Sequence, residues 1–220
     1  MPNHIINIVR ISGKKETIAK FVKENVNAYV RENGEIANFS FQTIIPRPHS
    51  LDIESGTREE NAMEFIKAGQ KKQAEMIDRY NLDTAEKQEE FEELGRKALN
   101  NIKVYGFKDW YDWSIENWGT KWDAYEVSVD YWENEVSLNF QTAWSTPLPI
   151  FLAISEKYKD LNIYVEYADE DLGCNCGTLT FEGGQLINGE DKDFDFACGL
   201  WGYDPEELKA EYEEENEEEV

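Results

Sequence analysis

The spacing of apolar residues switches along the chain between the period of a strand and the period of a helix, and this constrains the fold more than any other feature. A nearly continuous apolar run over residues 4–12 predicts a strand that is covered on both faces. Residues 14–32 place apolar side chains at helical spacing, and residues 36–45 alternate as in a strand with one buried face. The N-terminal part therefore predicts a β-α-β unit that ends where Pro46 and Pro48 interrupt strand pairing.

The middle of the chain has a different character, because residues 57–80 and 84–104 are charged and rich in strong helix formers. Their apolar residues recur sparsely at helical spacing, which predicts helices that pack through one narrow stripe. Strand-like alternation returns at residues 122–131 and 135–144, which predict a hairpin. Beyond it the pattern predicts a helix at 148–159, a strand at 161–167 and a last hairpin at 178–187.

In this order the elements predict an α+β fold of the split βαβ, ferredoxin-like type, an antiparallel sheet with two helices on one face. The helical insertion lies between predicted strands 2 and 3, at about residues 50–117. We therefore expect a single ferredoxin-like domain over residues 1–203. Residues 204–220 are expected to form an acidic tail that is either helical or disordered.

The chain is strongly acidic: its 220 residues include 46 Asp and Glu against 22 Lys and Arg, which gives a formal net charge of −24. Such a charge repels phosphate and argues against direct binding of nucleic acid or of an anionic membrane. Half of the net charge lies in residues 190–220, and the final run EYEEENEEEV repels itself. Two interpretations of this tail stay open, a solvated end or an interaction tail that imitates the phosphates of DNA.

The expected location is the cytoplasm, or the host cytoplasm if a phage encodes the chain. No stretch of about 18 apolar residues is present that could span a membrane. The first residues lack the pattern of a signal peptide. The three cysteines, Cys174, Cys176 and Cys198, make a poor disulfide framework and fit a reducing compartment.

Six of the seven tryptophans fall within residues 110–144. Such a cluster can be a core, a stacking platform for bases or a hot spot for a partner protein, and the few lysines nearby disfavour base stacking. Gly119 permits a turn between Trp118 and Trp122, which is either a structural corner or a ligand site. We predict that partner or ligand binding involves Trp110, Trp113, Trp118, Lys121, Trp122, Asp123 and Tyr125.

Catalysis and metal binding find little support in the residues. Cys174 and Cys176 are too close together for the usual zinc spacing. An EF-hand-like start at Asp191 fails because Phe196 stands where that loop needs glycine. Since no catalytic motif is recognisable either, we expect no enzyme, no cofactor and no metal site.

Five segments together carry a family resemblance, and the NWGTKWDAY segment is the most specific of them. They are His4–Asn7 (HIIN), residues 41–48 (FQTIIPRP), 117–125 (NWGTKWDAY), 140–149 (FQTAWSTPLP) and 167–177 (YADEDLGCNCG). Over about residues 3–180 the chain resembles the YubB ferredoxin-like domain family of bacteria, plasmids and phages, a family of unknown function. The resemblance implies a phage or mobile-element context and brings no catalytic residues with it.

These observations favour a non-enzymatic interaction protein of phage or mobile-element origin that binds a host protein. It would use the helical insertion and the aromatic cluster, and would inhibit a defence or regulatory system. A sharper version is imitation of DNA through the acidic tail. The alternative from another class is a small-molecule or nucleotide binder with a pocket around Trp118, Lys121 and Trp122.

Overall fold

The computed structural model describes residues 2–31 and 34–218, with the backbone alone for 27–31, 34–37 and 212–218. The chain divides into two compact units: a sheet unit of residues 1–46 with 117–220, and a helical unit of residues 47–116. In chain order the elements are β1 (His4–Ser12), α1 (Lys15–Asn25), β2 (Val26–Arg31), β3 (Gly34–Phe39), α2 (Thr57–Lys67), α3 (Gln70–Arg79), α4 (Ala85–Tyr105), α5 (Trp110–Trp118), β4 (Tyr125–Tyr131), β5 (Glu135–Ala143), α6 (Leu148–Lys157), β6 (Asn162–Asp169), β7 (Gly177–Glu182), β8 (Gln185–Asp191), α7 (Phe194–Trp201) and α8 (Pro205–Glu218).

The sheet unit contains a six-stranded antiparallel sheet in the order β4-β5-β1-β6-β7-β8. Its strands β4, β5, β1 and β6 have the order and directions of the split βαβ plan. Helices α1 and α6 cover one face of the sheet, and Phe21 of α1 contacts Tyr158 at the end of α6 with ring centroids 5.4 Å apart. The predicted ferredoxin-like fold class is confirmed, and the hairpin of β7 and β8 extends the sheet beyond β6.

The main core of the sheet unit lies between the sheet and these two helices. Ile5, Val9 and Ile11 alternate along β1 and are fully buried on this face. From α6, Phe151 packs on Phe181 of β7, with ring centroids 5.7 Å apart. The opposite face is largely polar, and α7 covers part of it through a small cluster around Ala168, Cys176 and Ala197.

The structure corrects the prediction of a helix over residues 14–32. Helix α1 ends at Asn25, whose buried side chain donates to Phe21 O at 2.9 Å and to Tyr158 Oη at 2.7 Å. The next residues, Val26–Arg31, form β2. Valine and tyrosine in this segment suit a strand as well as a helix face, because their side chains pack well on a pleated surface.

The predicted strand at residues 36–45 is also wrong in part. Strand β3 ends at Phe39 and pairs with β2 in a separate two-stranded sheet. Residues Phe41–Thr43 form a 3-10 turn, at whose start Ser40 Oγ accepts from Gln42 N at 3.2 Å. The second strand of the split βαβ plan is therefore β4, and the helical unit enters the chain after the extra hairpin.

Two helices differ from expectation in number or position. The predicted helix at 57–80 is divided into α2 and α3 at Ala68 and Gly69. Helix α7 was not predicted, and Asp193 begins it by accepting from Phe196 N at 3.1 Å. The division of the chain into a domain over 1–203 and a tail over 204–220 stays a prediction.

The helical unit packs α2 closely against α4. A methyl group at Gly95 of α4 would lie 2.4 Å from Ala62 O, so this approach requires glycine. Around the contact, Ala62, Phe65, Met76, Leu82 and Phe91 form one buried cluster. Among residues 2–31 and 34–218, no helix is long and apolar enough to cross a membrane.

A buried carboxylate in the helical unit depends on one lysine. The Glu59 side chain is fully buried, and its Oε1 accepts from Gly56 N at 2.7 Å and from Lys108 Nζ at 3.0 Å. Burial alone would raise the pKa of Glu59, but these hydrogen bonds outweigh it and the pKa is lowered. Although burial lowers the pKa of Lys108, its hydrogen bonds to Glu60 and Glu59 raise it to about 12.

Lys108→Met should destabilise the protein by about 3 kcal/mol at neutral pH, because Glu59 would stay buried without its charge partner. Chemical denaturation measures the change, and the exposed Lys103→Met is the matched control, expected within about 0.5 kcal/mol of the wild type. The lowered pKa makes the ionised form of Glu59 stabilising above its unfolded pKa, and this is lost as pH falls through the folded pKa. The difference in the free energy of unfolding between Lys108→Met and the wild type should therefore shrink in acid. A difference that does not change with pH would contradict the charge pairing.

Candidate functional site

Trp118 anchors the segment that joins α5 to β4. Its side chain is 1 % exposed, and its Nε1 donates to Ile45 O at 2.8 Å. Its ring lies edge-on to Phe41 with centroids 5.8 Å apart, and Phe41 contacts Phe140 of β5. Trp118 is thus a core residue and presents almost no surface to a partner in this structure.

A tight turn follows Trp118. Gly119 has a φ of 77°, and a methyl group there would lie 2.6 Å from Pro149 Cδ, so the turn requires glycine. Thr120 is then fixed to the end of β5, because its Oγ1 donates to Ala143 O at 2.8 Å and accepts from Ala143 N at 3.1 Å. Ser145 Oγ donates to Gly119 O from the same end of the sheet.

Asp123 holds the other end of this segment. Its Oδ1 accepts from Phe41 N at 2.7 Å and from Ala124 N at 2.8 Å, and its Oδ2 accepts from Ser40 Oγ at 2.6 Å. The carboxylate therefore joins the start of β4 to the turn after β3. Asp123 was predicted as a binding residue, and the structure places it in a positioning role beside the exposed residues.

Lys121 and Trp122 lie between these two fixed points. Together with Trp144, which follows β5, they form what we call the tryptophan–lysine stack. Lys121 Nζ lies 5.0 Å from the ring centroid of Trp122 and 5.0 Å from that of Trp144. Both distances are within the range of a cation–π contact. Trp122 is 37 % exposed and Trp144 is 41 % exposed, so the stack forms part of the surface of the sheet unit.

The backbone of Trp144 is held in an unusual conformation. Its φ is 72°, a left-handed value that costs a bulky residue about 1–3 kcal/mol. Hydrogen bonds fix it from two sides: Trp144 N donates to Asn3 O at 2.9 Å, and Asn175 Nδ2 donates to Trp144 O at 3.1 Å. Asn175 itself has a φ of 44°. The surrounding chain therefore enforces the position of an exposed indole.

Tyr125 contacts the stack at Trp122. Its ring meets Trp122 edge-on, with centroids 6.1 Å apart. Its hydroxyl donates to Thr142 O at 3.0 Å and lies 2.6 Å from His4 Nδ1. These contacts fix the ring of Tyr125, and with it one neighbour of Trp122.

Carboxylates surround this end of the sheet. Burial, Glu170 and Glu126 together raise the pKa of Tyr125 to about 12. Asp169 Oδ2 accepts from Asn175 Nδ2 at 3.3 Å, beside the backbone of Trp144. The local charge therefore favours a cation over an anion at the stack.

The seven residues predicted to bind a partner are divided between the two units, five in the sheet unit and two in the helical unit. Lys121, Trp122 and Tyr125 are adjacent in the sheet unit, whereas Trp110 and Trp113 belong to the helical unit. Trp113 is buried, so it presents little surface to a partner. The binding role of the exposed residues stays a prediction.

Sequence reasoning missed Trp144 and Asn175. Trp144 directly follows a strand and precedes Ser-Thr-Pro, a combination typical of a turn, and that signal could have drawn attention to it. Its positive φ leaves no trace in the sequence, because tryptophan is not a residue that favours that conformation.

The three cysteines differ in exposure, since Cys174 is exposed and the other two are buried. Across residues 2–31 and 34–218, no group of three or more His, Cys, Asp or Glu residues could hold a metal ion. Cys176 and Cys198 are buried, and burial raises the pKa of both thiols, which makes them poor nucleophiles.

Comparison with known proteins supports the fold of the C-terminal half. Residues 117–220 match a family described as the ferredoxin-like domain in Api92-like protein. The chain is also similar to the crystal structure of a protein api92 from Yersinia pseudotuberculosis, with 11 % sequence identity and a TM-score of 0.47. That similarity covers 87 % of this chain and 98 % of the other. No curated protein matches the chain.

Trp144→Gly should be more stable than Trp144→Ala by about 1 kcal/mol, because glycine relieves the left-handed strain that alanine keeps. Chemical denaturation of both variants measures the difference. The same pair of substitutions at Trp122, which lacks a positive φ, is the matched control. There alanine should be the more stable of the two, since glycine has the higher chain entropy to lose. If alanine were also the more stable residue at position 144, no strain would be stored there.

Proposed function

We propose that this protein is a non-enzymatic interaction protein that binds a basic surface of a partner protein through the tryptophan–lysine stack. The observation that carries the proposal is Trp144, an indole 41 % exposed on a backbone with a φ of 72°. Strain of this kind persists only where the surrounding chain enforces it, and it is concentrated at functional sites. A tryptophan that leaves 41 % of its surface exposed buries less apolar area in return for that strain than a core tryptophan such as Trp118, which is 1 % exposed.

The composition of the stack suits a protein interface. Tryptophan is enriched among the few residues that supply most of the binding energy in such interfaces. Trp122 and Trp144 offer two exposed rings, of which the first packs edge-on against Tyr125 and the second stands on a backbone fixed by Asn3 and Asn175. Rings fixed in advance lose little conformational entropy on binding.

Charge favours a basic partner. The chain has a net charge of −24. Glu170 and Glu126 act on the hydroxyl of Tyr125, which contacts Trp122, and Asp169 is hydrogen-bonded to Asn175, which contacts the backbone of Trp144. Complementary charge accelerates association and excludes partners of the same sign, which here include nucleic acids. Binding should therefore weaken as the salt concentration rises.

The proposal extends to a phage or mobile-element origin, with a host protein as the partner and a defence or regulatory system as the target. The cytoplasm of the host is the proposed location. What supports this part is the resemblance of about residues 3–180 to the YubB ferredoxin-like domain family.

Imitation of DNA by the acidic tail is a narrower form of the same proposal. Helix α8 favours it, because a helical backbone places the residues of an acidic sequence at a regular rise and rotation. Lys209 bridges Asp195 at 2.8 Å and joins the start of α8 to α7. Removal of residues 204–220 separates the two forms, since only the narrower form requires the tail.

The alternative function is the binding of a small molecule or nucleotide in place of a partner protein. The burial of Trp118 leaves Lys121 and Trp122 as the surface residues of that predicted pocket, beside Trp144. Thermal-shift measurements with nucleotides distinguish the classes, because a specific ligand raises the melting temperature.

Capture of proteins from a host lysate tests the proposal when three baits are compared. Trp144→Gly removes an indole of the stack, and Trp132→Ala removes an indole that is 57 % exposed at the turn between β4 and β5. Quantitative mass spectrometry should find a basic protein retained by the wild type and by Trp132→Ala. Its amount on Trp144→Gly should fall at least about tenfold, the loss typical of an interface hot spot.

The same protein should be released by moderate salt, as expected for charge-assisted binding. Circular dichroism and the melting temperature verify that each bait is folded. Equal retention by all three folded baits would exclude the stack as the binding surface.

A further inference from the structure

We propose that Trp122 and Trp144 form an aromatic cage for the guanidinium of a partner's arginine, and that Lys121 occupies this cage until the arginine displaces it. The inference rests on the proposed function, since it names what the stack recognises. Its basis is the position of one ammonium at 5.0 Å from two indole centroids. Paired aromatic rings around a cation are a recurring way to bind ammonium and guanidinium groups.

The walls of the cage are fixed independently of the cation. Trp144 is held through its backbone by Asn3 and Asn175, at 2.9 Å and 3.1 Å. Trp122 follows the segment fixed at Thr120 and packs edge-on against Tyr125. None of these contacts involves the Lys121 ammonium, so the rings can keep their places when it leaves.

The occupant differs from a guanidinium in flexibility and hydration. Lys121 reaches the cage through a flexible four-carbon chain, and its ammonium is a compact, strongly hydrated charge. Water compensates such a charge well once it swings outward. A guanidinium is planar, stacks on aromatic faces and is more weakly hydrated, so it loses less on entering the same space.

The charges near the cage favour a cation as its occupant and disfavour an anion. Glu170 and Glu126 lie close enough to Tyr125 to act on its hydroxyl, and Asp169 is bonded to Asn175 beside Trp144. A phosphate would meet these carboxylates and the net charge of −24. An arginine would meet two rings and favourable charge.

Titration with N-acetyl-arginine amide tests the cage, with the indole N–H signals of Trp122 and Trp144 in proton–nitrogen NMR spectra as the readout. The wild type should bind weakly. Lys121→Met should bind about three- to fivefold more tightly, because the competing cation is gone and an exposed cation–π contact has that strength. Lys121→Met combined with Trp144→Gly should show no binding.

Two comparison ligands complete the experiment. N-acetyl-lysine amide should bind more weakly than the arginine compound, and adenosine monophosphate should shift neither indole signal. If the monophosphate binds the wild type and Lys121→Met abolishes that binding, Lys121 is an anion contact and the cage is excluded. If arginine shifts neither signal in Lys121→Met, the cage is also excluded, while the lysate comparison with Trp144→Gly still decides the proposed function by itself.

Discussion

The site depends on the central position of β1 and on its antiparallel pairing with β5 and β6. Because both neighbours run opposite to β1, the start of β1 meets the ends of both. Asn3 O can therefore accept from Trp144 N just beyond β5, and His4 O can accept from Glu170 N just beyond β6. The strained tryptophan and the carboxylates reach one end of the sheet as a consequence of strand order.

The parts of the fold that could be predicted are those in which the apolar residues keep one spacing, that of a strand or that of a helix, over a long segment. The nearly continuous apolar run of β1 and the alternation of β5 left little choice of structure. The prediction that β1 is covered on both faces was wrong, because only alternate side chains of β1 are fully buried and Arg10 is exposed. The segment after α1 was ambiguous, because Asn33-Gly34 in the sequence is a signal for a helix end and also for a hairpin. In the structure the helix ends at Asn25, whose side chain donates to Phe21 O and to the hydroxyl of Tyr158, a residue 133 positions away.

The site could be predicted as a segment but not as a surface. A glycine between two tryptophans indicated a turn at Gly119, and the structure has one. Whether an indole of this segment is buried depends on groups that are distant in sequence. Trp118 is buried and donates to Ile45 O, 73 positions earlier. Trp122 is exposed, and the neighbouring Asp123 accepts from Phe41 N. Neither contact can be predicted from the sequence, because the partners lie far apart along the chain. The same holds for the contact of Lys121 with Trp144.

Magnitudes decide how the strain at Trp144 and the cation at Lys121 are related. The left-handed backbone costs about 1–3 kcal/mol, whereas an exposed cation–π contact returns about 0.5–1 kcal/mol. The lysine is thus too weak a partner to be the reason for the strain. Hydrogen bonds from Trp144 N to Asn3 and from Asn175 to Trp144 O must hold the indole, whether or not Lys121 lies over it. A ring held in this way is prepared for a ligand that binds more strongly than the lysine does.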